Sequence, residues 1–138
     1  MLLLRLIVTT VERTVLDRPD VVKITVPTDY GVITILPKHE PLMTVCGMGE
    51  LLVSFEDGKQ KSYFVDGGVV QVADNEVEIL TSIAEEADEL DEAKIEEARR
   101  RAEKLKQEKP IDIDIARVEI ALQRELARLK LARKRKRA

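Results

Sequence analysis

The sequence predicts an α+β fold, in which an N-terminal antiparallel β-sandwich (a flattened barrel) is followed by a C-terminal antiparallel two-helix hairpin. Short apolar runs separated by turn residues fill the first part of the chain. Near residue 84 the hydrophobic period changes from two to three and four, and Pro110 interrupts the helical part. We therefore expect two domains, residues 1–84 and residues 85–138.

Nine segments of the first domain are typical of β-strands because they are rich in β-branched and apolar residues. They cover residues 3–9, 14–16, 21–26, 32–36, 42–45, 50–55, 59–65, 69–72 and 76–80. Gly, Pro, Asp and Asn separate them, and Arg18-Pro19-Asp20 predicts a turn between the second and third segments. Asp57-Gly58 predicts a hairpin with a type I′ turn, in which both central residues have positive φ. Short strands without intervening helices favour a sandwich or flattened barrel.

The second domain has helical periodicity. One helix is expected from about residue 86 to residue 107, with the apolar face Ala87, Leu90, Ala98, Ala102 and Leu105. The second is expected to start at Asp112 or Asp114, with the apolar face Ile115, Val118, Leu122, Leu126 and Leu129. Because the connection at Lys109-Pro110 is short, the helices should be antiparallel neighbours.

The segment from residue 31 to residue 42, GVITILPKHEPL, contains the single histidine of the chain. Its first half favours a strand, and Pro37 and Pro41 fix a short loop around His39. A lone histidine in a rigid loop is compatible with a base, a metal ligand or a contact residue. No motif provides catalytic or metal-binding partners for it. We therefore interpret His39 as a contact or loop-structuring residue.

The remaining motifs do not predict an enzyme. The sequence has neither a Walker-type glycine loop nor a G-x-G-x-x-G motif, and Gly67-Gly68 indicates a sharp bend because no helix follows it. Cys46 is the only cysteine, which suits a small buried hydrophobe in a reducing compartment. No stretch approaches the roughly 20 apolar residues that span a bilayer. We expect a soluble chain with no cofactor and no metal, which reaches a membrane only through a partner.

Charge is distributed unevenly along the chain. Residues 1–84 contain 7 Lys and Arg against 12 Asp and Glu, whereas residues 112–138 contain 9 against 4. The cationic run at residues 133–137 is compatible with a solvated helix end, an acidic protein partner or nucleic acid. The helical half lacks aromatic residues for base stacking, which argues against nucleic acid. The first two interpretations both remain open at this point.

The motifs of the chain, taken in their order along the sequence, resemble those of the epsilon subunit of bacterial F-type ATP synthases, which is called delta in mitochondria. The resemblance rests on TVERTV at 10–15, ILPKHEPL at 35–42, GEL at 49–51, VDGG at 65–68 and the helical stretch from 84 to 103. It implies a non-catalytic central-stalk subunit that couples rotation of the c-ring to ATP synthesis through the gamma subunit. It also implies that the C-terminal helices restrain ATP hydrolysis by the alpha and beta subunits. The implied location is peripheral, on the cytoplasmic face of the bacterial cell membrane. The alternative is a free-standing ATP-sensing or nucleic-acid-binding adaptor module.

The resemblance also assigns site residues. Contact with the c-ring and gamma is implied for Val32, Ile33, His39 and Glu40. Val32 stands where many members have an acidic residue, which predicts a less acidic contact. Inhibitory contact with the catalytic subunits is implied for Arg124, Arg128 and Arg133.

Some family members bind ATP between the folded helices through a motif that LDEAKI at residues 90–95 matches in part. The residues implied in this chain are Glu85, Asp91, Lys94, Arg101, Arg124 and Arg128. Lys94 replaces an arginine and Ile95 replaces an alanine. Lysine keeps the charge but lacks the planar fork that binds phosphate through two hydrogen bonds. We therefore expect ATP to be at most a weak regulatory ligand.

Overall fold

A computed structural model describes residues 2–108 and 114–137, and within the last segment the side chains of residues 116–135. The chain divides into two compact units, Met1–Ala87 and Asp88–Ala138. The boundary therefore lies beyond residue 84, because residues that were expected to begin the first helix belong to the sandwich. The expected connection at Lys109-Pro110 and the expected cap at Asp112 lie outside the described residues.

The described part of the first unit consists of nine strands. They are β1 (Leu4–Thr9), β2 (Thr14–Thr28), β3 (Gly31–Ile35), β4 (Leu42–Val45), β5 (Gly49–Phe55), β6 (Gln60–Asp66), β7 (Val69–Ala73), β8 (Glu76–Leu80) and β9 (Ile83–Glu86). Hydrogen bonds connect them in the order β4-β7-β8-β1-β2-β5-β6-β9, and β3 pairs with β2. The predicted β-sandwich fold is confirmed, with one parallel pair, β1 with β8, among antiparallel ones.

The core lies between the layers and consists almost entirely of aliphatic side chains. Alternate residues of several strands point into it, such as Leu4, Leu6 and Val8 of β1, all of which are fully buried. Tyr63 and Phe55 are the aromatic members of this cluster. Burial of this apolar surface is the main favourable contribution to folding, at roughly 25 cal/mol per Å².

The predicted turn at Arg18-Pro19-Asp20 is wrong, because β2 continues through it. A register shift against β1 between Leu4 and Leu6 accommodates Pro19, which has no N–H to donate. On the edge of β2 that faces β5, the N–H of Glu56 donates a hydrogen bond to the carbonyl of Asp20 at 2.9 Å. The strand therefore bends at this proline without ending.

The type I′ turn predicted at Asp57-Gly58 is wrong, and a turn with two positive φ angles lies between β7 and β8 instead. At Asp57-Gly58 only Gly58 has positive φ, at 85°, and the Gly58 N–H donates to the carbonyl of Phe55. This arrangement is a longer loop with a glycine bulge. The two-residue connection between β7 and β8 has both φ angles positive, 51° at Asp74 and 61° at Asn75. Asp and Asn tolerate this conformation better than other non-glycine residues.

A 3-10 turn, Ala87–Glu89, crosses the boundary between the units, and the second unit continues with α1 (Glu92–Gln107) and α2 (Asp114–Arg137). The first helix starts later than predicted because residues 83–86 pair with β6 as β9. Asp91 caps α1, since its carboxylate accepts hydrogen bonds from the backbone N–H groups of Ala93 and Lys94 at 3.0 and 3.3 Å. This cap fixes where the helix begins.

The apolar seam between the two helices confirms part of the predicted faces. It includes Ile95, Leu129 and Ala132, with Leu90 packed against them, and of these Leu90 and Leu129 were predicted. Ala102, also predicted, is buried as well. Leu105 and Leu126, which were expected on the inner faces, are 51% and 47% exposed. Ile115 lies outside the described side chains. Ile95 was not assigned to a face from the sequence.

Ion pairs show that the helices are antiparallel, as predicted. Lys106, near the end of α1, lies 3.5 Å from the carboxylate of Glu119 in the first turns of α2. Arg133, near the end of α2, lies 2.9 Å from that of Glu92 at the start of α1. Charged side chains therefore connect the helices near both ends.

Gly68 should be the most sensitive glycine of the sandwich. Its φ is +105°, and a Cβ there would lie 1.8 Å from the carbonyl oxygen of Leu80. We expect Gly68→Ala to lower the free energy of unfolding by roughly 3 kcal/mol or more, because backbone must move. Gly58→Ala is the matched control, since φ there is +85° with no atom within 4 Å, and should cost about 1 kcal/mol. Urea denaturation followed by circular dichroism measures both, and equal losses would contradict the close approach.

Candidate interaction surfaces

Strand β3 presents one of its two sides to the surface. Val32 is 68% exposed, although it is a large aliphatic residue in a strand. Ile33 points the other way and packs against the core. Of the two residues assigned to the c-ring contact on this strand, Val32 is therefore the accessible one.

The loop after β3 is held by hydrogen bonds on both sides of His39. The His39 N–H donates to the carbonyl of Leu36 at 3.1 Å, and its ring Nδ1–H donates to the carbonyl of Glu40 at 2.8 Å. Lys38 has positive φ, 67°, and its N–H donates to the side-chain oxygen of Asn75 at 2.5 Å. The loop is thus fixed to the β7–β8 turn, and His39 is half-buried with its Nδ1 engaged.

Tyr30 belongs to this edge but was not assigned from the sequence. It lies in the turn between β2 and β3 and is 92% exposed. Aromatic residues are enriched at protein interfaces, and they bury large areas there. A signal was available, because an aromatic residue within the turn Asp29-Tyr30-Gly31 has no strand to direct it into the core.

A second exposed apolar feature crosses three strands. The β-ladder register pairs Val45 with Val69 and Val69 with Leu80, so these residues form one row, here called the apolar row. They are 47%, 38% and 54% exposed. Met43, two residues before Val45, is on the same face and 67% exposed. This exposed apolar surface is a candidate interaction site, which the sequence did not reveal because strand neighbours depend on topology.

The arginines assigned to the inhibitory contact all lie on α2, and each of them interacts with other groups of the chain. The Arg133 guanidinium contacts Glu92 at 2.9 Å and Glu96 at 3.5 Å. Arg128 contacts Glu125, one turn earlier, at 3.0 Å. Arg124 is half-buried on the same helix face, four residues before Arg128.

The residues assigned to ATP belong to both units of the chain, and one of them has another role. Asp91 caps α1, while Lys94 and Arg101 are exposed on α1. Glu85 lies in β9 of the other unit. Ile95, where the family motif has alanine, is 2% exposed in the helical seam. ATP binding stays a prediction.

Two kinds of group that often support catalysis, a metal-binding cluster and a reactive thiol, were considered among the described residues. They contain no group of three or more His, Cys, Asp or Glu side chains that could hold a metal ion. Cys46 is buried, and this burial, with the carboxylates of Asp66 and Asp29, raises the pKa of its thiol to about 11. Such a thiol is protonated at neutral pH and is a poor nucleophile. Within the described ranges, no helix is sufficiently long and apolar to cross a membrane.

These features define an α+β protein in which a β-sandwich with an apolar row on its surface is followed by a charged two-helix unit. Two family models match consecutive parts of the chain. The first, "ATP synthase, Delta/Epsilon chain, beta-sandwich domain", matches residues 3–87, and the second, "ATP synthase, Delta/Epsilon chain, long alpha-helix domain", matches residues 88–133. The chain belongs to the ATP synthase delta/epsilon chain family.

Individual relatives agree with this assignment. The chain is 41% identical over 133 residues to the ATP synthase epsilon chain of Herpetosiphon aurantiacus, covering 96% of both chains. It is 35% identical to that of Moorella thermoacetica, covering 94% of this chain and 96% of the relative. Among solved structures, it is similar to a chain of the Euglena gracilis mitochondrial ATP synthase OSCP/F1/c-ring structure. That match has a TM-score of 0.82 and 29% identity, and covers 92% of this chain and 79% of the other. A Tetrahymena thermophila central stalk/c-ring structure, at 20% identity, a TM-score of 0.60 and 95% and 94% coverage, shares the fold.

The charges around Glu96 generate a testable prediction. Hydrogen bonds from Arg99 are the largest cause of the lowered pKa of Glu96, and the charges of Arg100 and Arg133 add to it. We expect Arg99→Gln to move the pKa of Glu96 toward its ordinary value by more than Arg133→Gln does. Carboxyl ¹³C NMR titration between about pH 2 and pH 7 measures both variants.

Because the pKa of Glu96 is lowered in the folded state, the direction in which pH changes the free energy of unfolding is also known. The stabilisation by Glu96 is present above the ordinary Glu pKa and is lost as the pH falls through the lowered value. A larger shift from Arg133→Gln than from Arg99→Gln would contradict the contacts described for Glu96.

Proposed function

We propose that this chain is a non-catalytic central-stalk subunit of an F-type ATP synthase, which helps to couple ion-driven rotation of the c-ring to ATP synthesis. The observation that carries the proposal is the match of both family models, which together span residues 3–133. The solved relative from Euglena was determined as part of an assembly with F1 and a c-ring. Family membership favours this role over a free-standing ATP-sensing or nucleic-acid-binding adaptor.

The sandwich offers two exposed features for rotor contacts. We infer that the edge with Tyr30, Val32, His39 and Glu40 faces the c-ring, with Ile33 supporting it from the core side. The apolar row faces the gamma subunit, because a contiguous aliphatic surface suits a subunit that stays bound during rotation. The subunit is then peripheral, on the cytoplasmic face of the cell membrane, and held there through the c-ring.

The helical unit is proposed to restrain ATP hydrolysis. Arg124, Arg128 and Arg133 are on α2, and their guanidinium groups are suited to carboxylates of the alpha and beta subunits. An α2 that bears on the catalytic subunits in one direction of rotation would oppose hydrolysis more than synthesis. The apolar seam between the helices is smaller than the core of the sandwich, which is compatible with separation of the helices.

The role of the apolar row is tested with Leu80→Glu. A carboxylate placed in an apolar contact would be desolvated without a partner, so we expect binding to the gamma–c-ring subcomplex to weaken about tenfold or more. Gln60→Glu adds the same charge at an exposed position of β6 outside the row and serves as the control. Surface plasmon resonance on immobilised subcomplex compares the two. Equal binding of both variants would exclude the row as the gamma contact, and no binding of the unmodified chain would exclude the rotor role.

Removal of residues 112–138 tests the regulatory role. Since this deletion removes all of α2 and leaves the sandwich intact, ATP hydrolysis by the assembled enzyme should rise several-fold while the subunit remains in the complex. Arg117→Gln is the full-length control, because Arg117 is exposed on α2 but is not one of the three assigned arginines. Steady-state ATPase activity and the subunit ratio of the purified complex are measured together. Unchanged hydrolysis with a retained subunit would refute the restraint.

A further inference from the structure

Glu78 is an exposed carboxylate on the face of the sandwich that carries the apolar row. It lies in β8 two residues before Leu80, and alternate residues of a strand point to the same face. In the ladders it is paired with Gln71 of β7 and with Ile7 of β1. Gln71 is paired in turn with exposed Met43 of β4. The carboxylate therefore lies among uncharged side chains and next to the apolar row.

The charge of Glu78 is not neutralised within the sandwich. Among the described residues, no ion pair joins its carboxylate to another side chain. Arg5, on the same side of the sheet, pairs with Asp17 at 3.1 Å. The hydrogen bond to Asp17 is the largest cause of the raised pKa of Arg5, and the charge of Glu76 adds to it. Residues 1–84 are acidic as a whole, with 7 Lys and Arg against 12 Asp and Glu.

A partner that covers the apolar row also covers Glu78, because residues two apart in a strand are separated by only about 7 Å. Removal of a carboxylate from water is strongly unfavourable unless a cation or a hydrogen-bond donor replaces the water. A partner with a positive charge at this point is therefore favoured, and one without it is rejected.

An open groove lies on the other side of Leu80, since its lining continues past Leu80 to Ser82. The groove has a volume of about 300 Å³, and Gly68 and Val11 also line it. Val11, in the turn between β1 and β2, is 97% exposed, so its side chain contributes little to packing within the sandwich. The groove thus extends the apolar row toward this turn and fits an apolar side chain of a partner.

We propose that Glu78 and the groove recognise a basic and an apolar side chain of one partner segment, and that this segment belongs to the gamma subunit. Glu78 pairs with the Lys or Arg, and the apolar side chain enters the groove beside Val11. The inference rests on the proposed function, because it assigns the chemistry of the gamma surface that meets the apolar row. Glu78 is then a residue that determines which partner is accepted.

Removal of the charge tests the pairing, because it has opposite effects with and without a cation in the partner. Full-length variants are compared by surface plasmon resonance on the immobilised gamma–c-ring subcomplex. With a cation opposite, Glu78→Gln should weaken binding about fivefold at about 20 mM salt and less at about 500 mM, and Glu78→Lys should weaken it more strongly. Unchanged or tighter binding of Glu78→Gln would overturn the pairing, since an unpaired carboxylate would no longer have to be desolvated.

Glu56 provides the matched controls for these changes of charge. It is exposed in the loop between β5 and β6, outside the face that carries the row. Glu56→Gln and Glu56→Lys change the net charge by the same amounts and should leave binding within about twofold of the unmodified chain. Equal losses at positions 56 and 78 would show a general effect of charge and would overturn the specific pairing.

Exchange of charge identifies the partner residue. Each Lys and Arg of gamma is replaced in turn by Glu, and one of these variants should restore the binding of Glu78→Lys to within about threefold of the unmodified pair. The same gamma variant should bind the unmodified chain more weakly. Failure of every gamma variant to restore binding would overturn the pairing.

The groove is tested without any change of charge. Val11→Ser should weaken binding about threefold or more at both salt concentrations, because apolar contact is insensitive to screening. Leu2→Ser is the control, since Leu2 is 53% exposed and does not line the groove. Equal binding of the two variants would overturn the role of the groove.

Leu80→Glu distinguishes failure of this inference from failure of the proposed function. If Leu80→Glu weakens binding and Glu78→Gln does not, the apolar row contacts gamma and the charge pairing alone is wrong. If Leu80→Glu has no effect, the gamma contact of the row is excluded and the pairing is excluded with it.

Discussion

The sandwich depends on one strand that takes part in both of its layers. The first half of β2 pairs with β1, and its second half pairs with β3 and β5. For a single strand to do this it must bend, and the bend lies at Pro19, where the ladder to β1 changes register. Arg18 stabilises the bend, since its guanidinium pairs with Asp20 at 2.6 Å and lies 4.2 Å from the centre of the Phe55 ring. The position of the β3 edge, and hence of its exposed residues, follows from this geometry.

Close backbone contacts connect the end of β2, next to the β3 edge, with the segments that follow β4 and precede β7. Thr28 at the end of β2 bridges to Cys46, and the Cys46 N–H donates to the carbonyl of Gly68 at 2.8 Å. Gly68 in turn approaches the carbonyl of Leu80 too closely for any side chain. The same few contacts bring β4, β7 and β8 into register. Because Gly68 directly precedes β7, this close approach lets β7 begin beside Leu80, and the apolar row follows from the resulting ladder register.

The fold class and most strands could be predicted from the sequence, because the hydrophobic period is a local property. The turns and the start of the first helix could not, because they depend on pairing between strands that are distant in sequence. Pro19 favours a turn in isolation, yet the register shift against β1 allows the strand to continue. Asp57-Gly58 has the composition of a type I′ turn, but the strands it joins leave room for a longer loop, and Asp74-Asn75 adopts that turn instead. Residues 83–86 precede a helix, but they complete the ladder to β6. Exposed Val32 was assigned through a family resemblance, and half-buried His39 was already indicated by its proline-bounded loop, whereas Tyr30 and the apolar row required the topology.

The two units are stabilised by different forces, and this difference has a functional consequence. The sandwich core is a large aliphatic cluster, whose burial is insensitive to salt and gives a rigid body. The helical hairpin has a seam of a few residues and many ion pairs, which are weak singly and sensitive to competing charges. A structure held by apolar burial opens only at a large cost in free energy, whereas one held by exposed ion pairs can exchange one carboxylate partner for another at little net cost. The proposed role, in which the sandwich stays bound while the C-terminal helices change partners, suits a rigid unit joined to an exchangeable one.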